Sequence, residues 1–344
     1  MRSRMTWKRF AVLVAVYFAA ALAVMAAAPF VGAESVGIRS AWRQIFSGRW
    51  GAEADILVMQ RFPRVLLGFL AGGTLALVGA SFQVVLRNIL AEPYTLGITG
   101  GSALGAVIAI SVPGLAFDLT KGWGLFSSVQ VFALAGSMGA LLFIYIVARR
   151  TAGLSMNTVL LAGVTFGIFC GAMIMLVRYL VSPHLLVAMD RWMMGGVDVV
   201  GYRELASFMP ILLPALAVLA PLGSLLNHLS LGEEMAAGHG VDVKAVERQV
   251  LIAGGVATAA IVSMTGPIGF VGLVVPHIVR RISGNDQRLV LPASFALGGA
   301  ILVACDTVAR TLVAPAEMPV GIITAMLGGP VFIYLLIRQS WRGR

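Results

Sequence analysis

Between Arg248 and Arg280 the chain reads QVLIAGGVATAAIVSMTGPIGFVGLVVPHIV (residues 249–279), a run without a single charged side chain. A membrane helix needs about 20 residues, so a run of 31 that crosses twice must make one crossing short. Gly266-Pro267 interrupts it: proline has no N–H to donate and its ring clashes with the preceding turn, and Gly269 and Gly272 follow closely. The expected elements are a helix over 249–265, a break after Gly266-Pro267 and a short helix over 268–279. Irregular backbone at membrane depth is tolerated only inside protein or along a cavity, which makes this segment a candidate pathway element. The alternative is a plain turn at the outer membrane surface.

The rest of the sequence has the same character. Of 344 residues, 59% are apolar and 12% charged, and the mean hydropathy is +0.93; a soluble domain carries about 25% charged residues. A water-soluble enzyme is excluded. Uninterrupted apolar stretches fall near 10–33, 65–86, 94–113, 123–148, 156–180, 204–226, 249–265, 268–279, 289–309 and 319–337. The expected fold is therefore an all-α polytopic membrane protein of about ten transmembrane helices with both termini on one side. The first stretch follows Arg2, Arg4, Lys8 and Arg9 and ends near Ala26-Ala27-Ala28 like a cleavable signal. It is longer than the roughly 7–15 residues of a signal core, so it reads as a membrane helix.

Charge sets the orientation. With the termini cytoplasmic, fifteen of the 25 basic and six of the 15 acidic residues fall inside, leaving ten and nine outside. The net charge of +10 thus follows the positive-inside rule, and no nucleic-acid partner is needed to explain it. The two cysteines, Cys170 and Cys305, sit in apolar runs and read as packing residues, with no metal expected. The forty glycines include Gly68, Gly72 and Gly79, then Gly97, Gly101 and Gly105, at the spacing of close helix packing.

Chemistry is sparse. There is no HExxH, GxSxG or GxxxxGK[ST], and the four histidines (His184, His228, His239, His277) are scattered. The spans lack the central Asp or Glu that ion-coupled carriers commonly use. If the chain pumps, ATP must be hydrolysed on another subunit, which needs a cytoplasmic docking surface. The longest interior loop, Ser224 to Arg248, suits that role. Ser230-Leu-Gly-Glu233 has the form of a capping box, Gly238 and Gly240 can end the helix it starts, and Asp242 can cap a second short helix through Lys244, Ala245 and Val246. Leu231, Met235, Val241 and Val243 are candidate apolar anchors for a partner's cleft; folding of the loop against its own bundle is the alternative.

Several ordered motifs together carry a resemblance: Arg61-Phe-Pro-Arg64; Gly73 through Gln83; Arg87-Asn-Ile-Leu-Ala-Glu-Pro-Tyr-Thr-Leu-Gly97; Leu160-Leu-Ala-Gly-Val164; Arg191-Trp-Met-Met-Gly-Gly196; Leu231-Gly-Glu-Glu-Met-Ala236; Gly269 through Arg280; Asp306-Thr-Val-Ala-Arg310; and Glu317-Met-Pro-Val-Gly321. The chain resembles the permease subunits of type II ABC importers for ferric siderophores, haem and cobalamin, over about 61–337. The resemblance implies a single transmembrane permease domain over 1–344, with a coupling segment near 228–246 and a short periplasmic helix near 184–197. It further implies a homodimer in the bacterial inner membrane, a cytoplasmic ATPase dimer that holds ATP and Mg, and a periplasmic or lipid-anchored substrate-binding protein. No cofactor is expected on this chain.

By the same resemblance, Arg61, Arg64 and Arg310 correspond to outward-facing arginines that meet glutamates of the binding protein. The sequence alone offers a plainer alternative, an i, i+4 pair of Arg310 with Asp306 and membrane-edge anchoring for Arg61 and Arg64. Leu231, Gly232, Glu233, Met235, Ala236, Gly238, Gly240 and Val241 form the implied coupling element, with Glu233 a helix-capping residue. Asn88 and Leu90 in one loop, and Met156 and Asn157 in another, form the implied cytoplasmic gate. The sequence departs from the family at Ile89, where proline is usual, and at Met156, where a small hydroxyl residue is frequent. His277 reads as structural and His184 as the better, though minor, haem candidate. The expected activity is import of an iron chelate, with cobalamin as the alternative cargo. An ion-coupled carrier and a lipid-modifying membrane enzyme are the rivals from other classes.

Overall fold

The computed structural model describes residues 7–32, 37–47, 51–112, 127–152, 155–199 and 201–340. Arg2, Arg4, Arg342 and Arg344, which entered the charge count, lie outside the described residues, as do positions 33, 113 and 123–126 of the expected spans. The helices are α1 (Trp7–Ala27), α2 (Ile38–Phe46), α3 (Ala52–Asp55), α4 (Phe62–Val85), α5 (Ile98–Ser111), α6 (Ser128–Ala152), α7 (Met156–Leu180), α8 (Pro183–Met193), α9 (Arg203–Leu219), α10 (Gly223–Leu229), α11 (Glu233–Gly238), α12 (Val243–Thr265), α13 (Val271–Ser283), α14 (Gln287–Leu312) and α15 (Val320–Ser340). Every expected apolar stretch coincides with a helix, α9 and α10 together covering one of them. Among the described residues, seven runs are long and apolar enough to cross a membrane; α5 and the apolar part of α15 are shorter, and α13 has only 13 residues.

Helix α4 is the axis of the bundle, buried along almost its whole length. Lipid offers no water to release, so helices here are held by close contact of small residues. At Gly72 against Gly298 of α14, at Gly79 against Gly272 of α13, and at Gly101 against Gly136 between α5 and α6, a Cβ atom would collide with the facing backbone. The periphery is looser: α1 buries only Tyr17 and Ala21, and the Tyr17 hydroxyl lies 2.8 Å from Ser283 Oγ.

The break foreseen after Gly266-Pro267 is present and is buried in protein. Helix α12 ends at Thr265, Gly266 turns with φ 65°, and α13 starts after Phe270, a non-glycine residue at φ 67°. The Trp192 carbonyl lies so close to Gly266 that only glycine fits. The Gly196 N–H donates to the Thr265 carbonyl at 2.7 Å, and the Gly321 N–H to Gly195 at 3.2 Å. The broken backbone is thus clamped between the segment after α8 and the start of α15, which rules out a free surface turn. Glu92, 9% exposed, lies beside Gly272 in the first turn of α13. The loop between α4 and α5 therefore folds back into the bundle and places a carboxylate at the N-terminus of α13, where the helix dipole favours it.

Two local expectations fail for identifiable reasons. Asp242 does cap a helix, accepting the Ala245 N–H at 3.0 Å, but that helix is the start of α12, which runs unbroken to Thr265. The polar residues Lys244, Glu247 and Arg248 hid its first turns from a hydropathy reading. The capping box does not form either. Ser230 donates to the Asn227 carbonyl at the end of α10, and Gly232, at φ 124°, is the residue that precedes α11.

Candidate functional site

The bundle has two charged ends. At the outer one, Asp306 of α14 is 2% exposed and holds two guanidinium groups. Arg64 of α4 donates to both its oxygens, Nη2 to Oδ1 at 2.9 Å and Nε to Oδ2 at 3.1 Å; Arg310, one turn along α14, pairs with Oδ2 at 3.1 Å. Arg64 also reaches Glu317 Oε2 at 2.7 Å and Asp198 Oδ1 at 3.4 Å. The bidentate fork fixes orientation as well as charge. Arg310 Nη2 faces the Ala28 carbonyl at 3.5 Å, and Arg61 Nη1 donates to the Pro29 carbonyl at 2.9 Å.

The three arginines are largely buried and have partners within the chain, and all three line a cavity of about 550 Å³ with Asp198, Glu204 and Glu317. Arg61 is 6% and Arg310 3% exposed, and the i, i+4 pair that the sequence offered for Arg310 is formed. The charges that face out are others: the side chains of Arg191, Asp198 and Glu317 are 73%, 54% and 41% exposed. A cavity of about 300 Å³ lies between Arg191, Trp192, Asp198 and Glu317.

At the inner end a cavity of about 650 Å³ is lined by Arg87, Met156, Asn157, Glu233, Glu234, Lys244 and Glu247, among others. The structure thus brings two expected gate residues, Met156 and Asn157, against the expected coupling helix. Asn88 Oδ1 accepts the Leu90 N–H at 2.9 Å, a local turn that directs the other gate loop. Leu90 is 42% exposed, Leu231 60% and Met235 53%. Ala236 is fully buried, and Val241 and Val243 pack against the main core. Of the four candidate anchors, two hold the hairpin to its own bundle and two stand free. Gly238 ends α11, and Gly240, at φ 80°, allows the turn into α12. Glu233 is the first residue of α11 and pairs with Arg87 at 3.1 Å, a role that replaces the expected cap.

A third space, about 390 Å³, is lined by residues of α5 and α7; its walls include Gly97, Gly100, Gly163, Gly167 and Pro267. The broken segment therefore borders a cavity, the condition under which irregular backbone survives at membrane depth. Of the four scattered histidines, His228 and His239 meet with ring centroids 5.5 Å apart, flanking the coupling helix. His184 is exposed on α8. Cys170 and Cys305 are buried free thiols.

Sequence reasoning did not single out Asp198, Glu247 or Glu92, and noted Asp306 only as a helical neighbour. The local signal for Asp306 was its i, i+4 spacing to Arg310; nothing local pointed to Arg64, 242 positions away.

A helical bundle that crosses the membrane about ten times, with an enclosed charge cluster outside and an apolar knob over a cavity inside, has the architecture of a transport permease. The FecCD transport family model matches residues 11–338, and the chain belongs to that family. It is similar to the hemin transport system permease protein HmuU of Yersinia pestis, 37% identical over 90% of each chain. It is also similar to the vitamin B12 import system permease protein BtuC of Vibrio vulnificus, 38% identical over 86% of each. A solved structure assigned to the metal-chelate type of ABC transporter, in an inward-facing conformation, superposes with a TM-score of 0.80 at 26% identity, covering 95% of this chain and 99% of the other. The protein is accordingly the permease of a type II ABC importer in the inner membrane, a transport subunit of a family whose permeases in general work with an ATPase and a substrate-binding protein.

Proposed function

We propose that two copies of the chain enclose a central pathway and carry an iron chelate, a ferric siderophore or haem, inward by alternating access. ATP and Mg bind to a separate ATPase dimer seated on the hairpin 228–246. The observation that carries this mechanism is the shared inner cavity: Leu231 and Met235 stand exposed for a partner's cleft, while the same hairpin lines the wall opposite Met156 and Asn157. Motion of the hairpin then acts directly on the gate formed by Asn88, Leu90, Met156 and Asn157. The drive is the difference in partner contact between the two arrangements, because equal affinity for both would shift nothing.

On the outer face, Arg61, Arg64 and Arg310 take part in docking indirectly. They hold Asp198, Glu317 and the ends of α4 and α14 in place, and a periplasmic or lipid-anchored binding protein meets the exposed Arg191, Asp198 and Glu317. Exposed charges of this kind mainly steer and orient a partner.

The haem transport relative supports the iron-chelate reading. The vitamin B12 relative, of similar identity, favours cobalamin as the second reading. The test is uptake into proteoliposomes holding the permease, its ATPase and the binding protein, with haem, a radio-iron siderophore and cobalamin offered in parallel. Vanadate-sensitive uptake of an iron chelate is expected. Uptake of cobalamin alone would reassign the cargo, and uptake that follows an ion gradient while ATP remains would overturn the importer mechanism.

A further inference from the structure

The inner cavity contains an imbalance of charge that hairpin docking does not use. Arg87, two residues past the end of α4, has φ 46°, a left-handed backbone rare for a residue with a side chain, and directly precedes the gate loop. Its guanidinium pairs with Glu233 at 3.1 Å, and the two side chains are 49% and 58% exposed. Glu247 of α12, 6% exposed, lines the same cavity. Among the described residues no cation lies within ion-pair distance of it; the charged groups it faces are Glu233, Arg87 and Lys244. Lys244, one turn back on the same helix, is exposed. All four line one cavity.

We propose that Arg87 is a two-position latch that exchanges Glu233 on the coupling hairpin for Glu247 on α12 as the inner end changes shape. The chemistry of the two partners makes the choice close. Glu233 offers a solvated pair, weakened by screening and easily broken. Glu247 offers a buried carboxylate whose desolvation is offset only by a cation held against it. Arg87 is suited to both because its guanidinium keeps its charge and presents several donors on a long stem. When paired with Glu233, it ties the start of the gate loop to the hairpin. When paired with Glu247, it ties the same loop to the bundle and frees the hairpin. Arg87 thus acts as a positioning residue for the gate.

This inference rests on the importer reading for its purpose, but its test needs only this chain. Spin labels on Leu90→Cys and Gly238→Cys, in a background with Cys170→Ser and Cys305→Ser, report the distance from gate loop to hairpin in lipid nanodiscs. Labelled chain is diluted with unlabelled chain so that each pair is read within one copy. Glu247→Gln removes the buried alternative and is expected to raise the short-distance population at least twofold. Glu233→Gln is expected to lower it by a similar factor. Arg87→Gln should erase the difference between the two. Shifts in the same direction, or none, would overturn the latch, since a merely structural carboxylate has no reason to act with opposite sign. Should Glu247→Gln fail to fold, Glu233→Gln compared with Arg87→Gln still decides: both must lose the short distance. If ATP-driven uptake fails while these opposite shifts persist, the importer reading falls and the latch stands. If uptake is intact and the shifts are absent, the latch alone falls.

Discussion

The outer and inner ends of the bundle hold charge in opposite ways. Outside, Asp306 is enclosed with two arginines on it, and Arg64 spans α4, α14 and the connection to α15 through one guanidinium. Inside, Arg87 and Glu233 are half exposed, no cation among the described residues pairs with Glu247, and Leu231 and Met235 are exposed. A buried pair is costly to break because one partner would be left charged in a dry site, whereas an exposed pair breaks with little penalty. The outer end is built to stay together and the inner end to be rearranged.

This contrast predicts the largest stability loss outside. Arg64→Ala should lower the unfolding free energy by about 3–5 kcal/mol, the usual effect of removing one member of a buried pair, and thermal unfolding in detergent reads it. A loss below about 1 kcal/mol would show that the clasp does not hold the outer end. Next in size, Met235→Asp should leave the melting temperature unchanged and cut ATP-driven uptake at least tenfold, about 1.4 kcal/mol in coupling. Normal uptake in this variant would remove the hairpin from the drive.

A smaller effect is expected at Asp286. It accepts the Arg288 N–H at the N-terminus of α14 and a bond from Asn227 Nδ2 at 2.7 Å. Asp286→Asn keeps a side chain able to cap the helix and removes the half-exposed ion pair with Arg288, so it should cost at most about 1 kcal/mol. The Arg288 side chain, through its hydrogen bonds, holds the Asp286 carboxyl below its ordinary range. The sign follows: a carboxyl depressed on folding adds stability above its unfolded pKa, and that stability is lost as pH falls through the folded one. The gap between wild type and Asp286→Asn should therefore narrow on acidification below the usual carboxylate range. A gap that widens there would exclude the ion pair as its source. The smallest stability effect belongs to Arg191→Ala, within about 0.5 kcal/mol; its consequence should be slower association of the binding protein at low salt, with the difference fading at high salt.

Much of the scaffold was legible because lipid demands long apolar helices. The stretch 156–180 is matched by α7 residue for residue, and the break after Gly266-Pro267 lies where proline and glycine placed it. The hairpin 228–246 was legible from Gly238, Gly240 and Asp242. Side-chain direction was not. Arg61, Arg64 and Arg310 read as outward arginines through the resemblance alone; the pairing of Arg64 with Asp306, 242 positions away, exists only because α4 packs on α14. Ser230 carried the pattern of a cap, but Gly232 set the turn through a backbone angle that no residue pattern specifies. Glu247 drew no reading within the loop 224–248; α12 starts at Val243, which places it in the cavity wall.

The contrast between the two ends amounts to one assertion: the chain supplies the pathway and a separate nucleotide-hydrolysing subunit supplies the work. Reconstitution of the purified chain alone, beside the chain with its ATPase and binding protein, measures this most directly. Accumulation of a chelate against its gradient is expected only in the complete assembly and only with ATP. Accumulation by the chain alone would contradict the division of labour, and with it the reading of the inner end as a docking surface.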